Sequence, residues 1–169
     1  MTHSAHHSHR PLCLHLRDEA ATAHLGRCLA ATLAPGLRIY LRGDLGAGKT
    51  TLARGLLRAL GFQGRVKSPS YTLVELYTVS RLNLYHFDFF RFREPKEWSD
   101  AGFREYFSGA AVCLVEWPEK AGDVLPMPDI EILLSTAGAG RDALLTAHTE
   151  AGEKCLEAAS GLKSQDGFS

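Results

Sequence analysis

The sequence predicts an α/β protein in three layers: a P-loop NTPase fold whose mixed, mainly parallel sheet carries added antiparallel strands. Three observations predict it. Gly43-Asp44-Leu45-Gly46-Ala47-Gly48-Lys49-Thr50 fits the phosphate-loop pattern G-x-x-x-x-G-K-[ST] without a mismatch, between a β-prone run (Ile39 to Leu41) and a helical pattern (Thr51 to Leu60). Ala110 to Val115 is a short, continuous apolar run of the kind that forms a fully buried strand, and it ends at an acid, Glu116. Strand and helix patterns alternate early in the chain and strands cluster late, as in a sheet with helices on both faces and antiparallel additions.

Each element follows in order. Residues 1–11 carry His3, His6, His7 and His9 among small polar residues and are set outside the fold as a terminal segment. Leu12 to Leu16 reads as a strand. Asp18 is the expected N-cap of a helix through Leu33, with Ala21, Leu25, Cys28, Leu29 and Thr32 at helical spacing. Pro35-Gly36 stops that helix before the strand of the phosphate loop. The helix after the loop buries Ala53, Leu56, Leu57 and Leu60, and Gly61 sits where a left-handed cap belongs.

The segment Val66 to Thr72, broken by Pro69, is a loop. Leu73 to Val79 and Leu82 to Phe89 then form a hairpin through a turn at Ser80-Arg81. Trp98 to Phe107 supplies one or two short helices, and Glu119 to Leu125 a helical turn. Ile130 to Ser135 and Ala143 to His148 flank the turn Gly138-Ala139-Gly140-Arg141. The single globular domain therefore spans 12–148, followed by a tail, 149–169, with a helix over Glu150 to Ala159 and a fraying end.

With 169 residues and 45% hydrophobic content, one domain can bury a proper core. Nineteen basic and nineteen acidic residues give a formal net charge of zero, which argues against a protein that grips nucleic acid on its own. Cys13, Cys28, Cys113 and Cys155 are far apart and form no C-x-x-C pair, so reduced, mostly buried thiols of a cytoplasmic protein are expected. No apolar run approaches the ~18–20 residues of a membrane span, and none forms a signal-peptide core.

The chemistry gathers around the loop. Backbone amides of Asp44 to Gly48, aided by the helix N-terminus, cradle a phosphate chain. Lys49 reaches the β- and γ-phosphates, Thr50 holds a magnesium ion, and Thr51 continues the first turn. Completing the metal site takes acids from elsewhere. Glu116 closes a buried strand, where open α/β sheets place their crevice; as a plain strand end it would face water. Asp88 shares one face of an extended segment with His86, opposite Phe87; it serves a metal or pairs with Arg91 or Arg93. His86 orients Asp88, acts as a base, or is a core histidine. Ser68 and Ser70 offer hydroxyls to a phosphate or metal if their loop is a switch, and otherwise form a turn.

The segments GDLGAGKTT (Gly43 to Thr51), SPSYTLV (Ser68 to Val74), HFDFFR (His86 to Arg91) and LVEWPEK (Leu114 to Lys120) closely resemble the TsaE family. That family comprises small bacterial ATPases needed to make threonylcarbamoyladenosine at position 37 of tRNAs. The resemblance covers about Leu12 to His148. It implies a weak ATPase, with ATP and Mg2+ as cofactors. It implies action with the TsaB–TsaD complex, whose proteins carry the transfer chemistry and are reset by nucleotide turnover; tRNA is reached indirectly and no phosphoryl group passes to it. It further implies Lys49, Asp88 and Glu116 as catalytic residues and Thr50, Asp88 and Glu116 as metal ligands. Asp44 to Thr51 together with Ser70 would hold the nucleotide. Ser70 stands where the family has threonine, and Phe90 where it has tyrosine. Trp117 matches the family and would pack by the nucleotide or at a partner surface. No cis arginine finger is evident, a lack that can cost ~10³–10⁵ in hydrolysis rate. Rival readings are a small-metabolite or nucleotide kinase, against which the lack of an Arg-rich lid counts, and a non-hydrolytic nucleotide switch.

Overall fold

A computed structural model describes residues 11–79 and 82–165. Seven strands form one sheet in the order β1-β7-β6-β2-β5-β4-β3. β2 (Arg38–Arg42), β5 (Val112–Glu116), β6 (Ile130–Ala137) and β4 (Leu82–Asp88) are its parallel centre, through the pairs β6–β2, β2–β5 and β5–β4. Antiparallel pairs extend both edges: β3 (Val74–Val79) on β4, β7 (Gly140–Ala147) on β6, and β1 (Leu12–Leu16) on β7. The expected turn at Ser80-Arg81 and the His-rich terminus lie outside the described residues.

Period-two alternation divides the sheet into two buried faces. Ile39, Leu41, Val112, Leu114, Leu84, Ile130 and Ile132 face α1 (Glu19–Ala30), α2 (Lys49–Ala59) and α5 (Glu150–Gln165). Tyr40, Cys113, Val115 and Phe87 face an aromatic layer built from Phe89, Phe92, Phe103, Phe107 and Trp98 around α3 (Lys96–Asp100) and α4 (Arg104–Ser108). Phe87 stacks on Phe107 at 5.0 Å and meets Phe103 edge-on at 5.4 Å, geometries that rings favour. A 3₁₀ segment, Pro118–Val124, follows β5.

The helix boundaries show why sequence and structure part in places. Asp18 caps α1, its carboxylate accepting from the Ala21 amide at 2.8 Å. That helix ends at Ala30, short of Leu33, where Thr32 turns its amide and hydroxyl back onto Leu29 O. α2 begins two residues earlier than expected, because Lys49 and Thr50 are themselves its first turn behind a left-handed Gly48 (φ 104). Gly61 is left-handed as anticipated (φ 99).

The tail differs most. α5 runs to Gln165 as one helix, and Cys155, Ala159 and Leu162 are buried in the main core, so this segment packs with the sheet instead of fraying. Ser160 donates its hydroxyl to Glu157 O at 2.6 Å, which lets a poor helix former sit inside the helix. All four cysteines are free, but Cys13 is exposed and Cys28 half-buried; burial pushes the Cys113 thiol up to about 12. Among the described residues no helix is long and apolar enough to cross a membrane.

α1 and α2 approach so closely that two glycines are required. A Cβ at Gly55 would stand 2.1 Å from Ala23 O, and one at Gly26 would stand 2.2 Å from Leu52 O. Both obstacles are backbone, so no side-chain rotation relieves them. Gly55→Ala gains ~1 kcal/mol of helix propensity and costs about 3 kcal/mol in overpacking, for a net loss of about 2 kcal/mol. Urea unfolding should show it as a lowered midpoint; an unchanged or raised midpoint would refute the close crossing.

Candidate active site

The alternation that builds the core also delivers the acids. On β5, Val112 and Leu114 face α2, so Glu116 does too; on β4, Leu84 places His86 and Asp88 on that same face. The parallel register sets Asp88 opposite Glu116 and Leu41 opposite Glu116 on the other side. Two residues past Leu41 the phosphate loop begins. The Trp117 amide donates to Leu41 O at 3.3 Å, tying the end of β5 to β2.

The result is one cavity of about 680 Å³. Leu45, Gly46, Gly48, Lys49, Thr50 and Thr51 line its floor, and Ser68, Ser70, Asp88 and Glu116 one end. Lys49, Asp88 and Glu116 are 5, 4 and 2% exposed and His86 is fully buried, so four ionisable groups are buried side by side. Such burial is tolerable only with mutual pairing. His86 Nε2 lies 2.7 Å from Glu116 Oε2, and because an ionised carboxylate only accepts, Nε2 carries a proton and donates it, while Nδ1 has no partner among the described residues. Ser68 Oγ reaches Glu116 Oε2 at 2.8 Å and also touches Asp88 Oδ2. The Phe90 amide donates to Asp88 Oδ1 at 2.9 Å.

Lys49 Nζ donates to Gly43 O and lies 3.8 Å from the centre of the Trp117 ring, a cation–π contact. Trp117 holds a left-handed backbone (φ 57) that a bulky residue rarely adopts, and Phe90 packs on it at 5.0 Å. Burial lowers the Lys49 pKa, with Glu116 and Asp88 opposing. Burial pushes Glu116 up, but the hydrogen bond and charge of His86, then Ser68 and Lys49, outweigh it and hold the carboxyl below its ordinary value.

Of the residues singled out by sequence, Lys49, Thr50, Thr51, Asp88, Glu116, Ser70, Leu45, Gly46 and Gly48 share the cavity. Asp44 and Ala47 stay in the loop's backbone, where the Ala47 amide donates to Asp44 O at 3.1 Å. Asp88 makes no arginine pair among the described residues, and His86 serves Glu116, not Asp88. Ser68, not Ser70, is the hydroxyl that bridges the acids. The cavity wall also carries two arginines: Arg91, whose guanidinium lies 4.0 Å from the Tyr71 ring centre, and Arg141. Its far end is made by Asp18, Glu19, Thr22, Ala139 and Gly140.

Among the described residues no cluster of three or more His, Cys, Asp or Glu side chains could cage a metal ion by itself. The acids with Ser68 and Thr50 are instead a small set of hard oxygens beside a phosphate loop. That set suits magnesium, which is usually held by one or two carboxylates together with water and substrate phosphates.

A phosphate loop closing the central parallel strand of a three-layer sheet, with acids arriving from the neighbouring strands, defines a P-loop NTPase-like fold. The profile of the threonylcarbamoyl adenosine biosynthesis protein TsaE matches residues 16–143. The tRNA threonylcarbamoyladenosine biosynthesis protein TsaE of Haemophilus influenzae is 40% identical over 152 residues, covering 87% of this chain and 96% of the relative. Its Bacillus subtilis counterpart is 40% identical over 117 residues, covering 69% of this chain and 73% of the relative. The crystal structure of Bacillus subtilis YdiB superposes with a TM-score of 0.78 at 32% identity, over 93% of this chain and 99% of that one. The chain belongs to the TsaE family.

Because Glu116 has a lowered native pKa, it contributes stability above its ordinary value of 4.5, and that contribution is lost as pH falls through the native value. The stability gap between the wild type and Glu116→Gln, followed by urea unfolding, should therefore hold from pH 6 down to the ordinary value of 4.5 and shrink on further acidification through the lowered native value. A gap independent of pH would show that Glu116 is not held ionised.

Proposed function

We propose that this protein is a Mg2+-dependent ATPase of tRNA N6-threonylcarbamoyladenosine biosynthesis, weak alone and acting with the TsaB–TsaD complex. The observation that carries the reading is the convergence of Lys49, Ser68, Asp88 and Glu116 with the phosphate loop on one cavity. Magnesium, held by Thr50, Asp88 and Glu116, would neutralise phosphate charge and polarise the phosphoryl oxygens.

The chain's own groups do the rest. The loop amides and the start of α2 bind the triphosphate. Lys49 leaves Gly43 O and the Trp117 face for the β- and γ-phosphates, a better partner for a partly desolvated ammonium. Glu116 Oε2 is engaged by His86 and Ser68, which leaves Oε1 to orient the attacking water. Held ionised, Glu116 positions that water and compensates charge more than it pulls a proton, since a low-pKa carboxylate is a weak base. A slow intrinsic rate follows. Arg91, packed on exposed Tyr71 at the cavity rim, is a group that a docked partner would push toward the γ-phosphate.

Glu116→Gln and Asp88→Asn should each lower the hydrolysis rate by about 10²–10³ while leaving MgATP affinity within a few-fold. Lys49→Ala should abolish productive binding. Adding TsaB–TsaD should raise single-turnover hydrolysis of the wild type; equal rates with and without them would overturn the partner assignment. Transfer of labelled phosphate to a small acceptor instead of water would make the protein a kinase.

A further inference from the structure

The geometry points to Arg141 as a positioning residue that sets the shape of the phosphate loop from the cavity wall. It is the first charged residue of β7 and pairs with Leu16 of β1 and Thr136 of β6. Its Nε donates to Ala47 O at 3.0 Å and its Nη2 to Gly46 O at 2.9 Å, while Nη1 donates to Gly140 O at 2.7 Å. Two nitrogens of one rigid guanidinium thus hold two successive carbonyls of the loop. Among the described residues Arg141 pairs with no carboxylate, so the charge is spent on backbone oxygens alone.

A trans peptide points its N–H opposite to its C=O, and this chain has no cis peptide bond among the described residues. Fixing the carbonyls of Gly46 and Ala47 therefore turns the amides of Ala47 and Gly48 away from Arg141: the first closes the loop onto Asp44 O at 3.1 Å, and the second is left for a phosphate. Glycine leaves these planes free to rotate, because Gly46 (φ 80) and Gly48 (φ 104) have no side chain to lock them. The guanidinium fork supplies the missing constraint.

Close backbone approaches place it there. A Cβ at Gly43 (φ 143) would stand 2.4 Å from Leu134 O of β6, and one at Gly140 2.4 Å from Leu16 O of β1. The first glycine of the loop is thus seated on β6, and Gly140 lets β7 come close enough to β1 to aim Arg141 at the loop. The antiparallel β6–β7 hairpin is the loop's mould.

The inference rests on the nucleotide reading above. Its test is calorimetric titration of wild type, Arg141→Met and Arg141→Lys with MgATP and with magnesium pyrophosphate, alongside melting temperatures. Arg141→Met should bind both ligands roughly ten- to a hundredfold more weakly, the scale of one hydrogen bond to a charged donor. Arg141→Lys should lose nearly as much, because one ammonium cannot span both carbonyls in the geometry of the fork. In Arg141→Ala, free guanidinium ion at concentrations that leave the melting temperature unchanged should restore part of the affinity, which a folding defect would not allow. Wild-type affinity in Arg141→Lys, or loss confined to MgATP with pyrophosphate unaffected, would overturn the proposal: charge or a nucleoside contact would then be the cause. A wild type that binds neither ligand would overturn the nucleotide reading itself.

Discussion

The lateral register of β2, β5 and β4 is the constraint from which the site follows. A slip of one residue in β4 or β5 would turn an acid to the aromatic face and an aromatic or valine side chain toward α2. Phe87 and Val115, both fully buried, alternate with Asp88 and Glu116 along their strands, so the apolar core enforces the register that the chemistry requires. The acids need no separate device to find the phosphate loop. They are the last residues of strands whose earlier side chains pack under α2.

This explains what could be read in advance. The loop from Gly43 to Thr50 was legible because phosphate binding dictates residue types at fixed local spacing. Glu116 and Asp88 were legible because polar residues ending apolar strands break an otherwise consistent pattern. Ser68 was visible only as half of a Ser-Pro-Ser turn, since choosing it over Ser70 needs the path of the loop across the strand ends. Arg141 carried no signal at all. Next to glycine, Arg141 reads as the end of the turn Gly138-Ala139-Gly140-Arg141, yet Gly140 and Arg141 open β7. What admits it to the sheet is tertiary: Asp142 meets His15 across the strands at 2.8 Å, and Arg141 is absorbed by the loop. Local composition could not report either partner.

The same distinction holds at the C-terminal helix. Ser160 and Gly161 lower intrinsic propensity enough to suggest an end at Ala159, but the burial of Ala159 and Leu162 against the sheet outweighs a penalty of ~1 kcal/mol. α1 shows the converse. Its apolar pattern runs on to Leu33, yet the Thr32 amide and hydroxyl both close onto Leu29 O, three residues back, and the helix ends there.

Compensation among the buried charges sets how the site behaves. Among the described residues Lys49 has only carbonyl and ring partners of its own, and the carboxylates that stabilise it are committed first to His86 and Ser68. On the proposed nucleotide reading, a triphosphate that brings negative charge to the loop would therefore gain a cation not already committed to a carboxylate. Glu116 is the opposite case. With His86 donating from a fully enclosed ring, its charge is stabilised before any ligand arrives, and the stabilisation that makes it a dependable anchor makes it a poor base. On the proposed ATPase reading, a site built this way favours binding over turnover, and speeding the reaction would take charge supplied from the open rim, not from the strands beneath it.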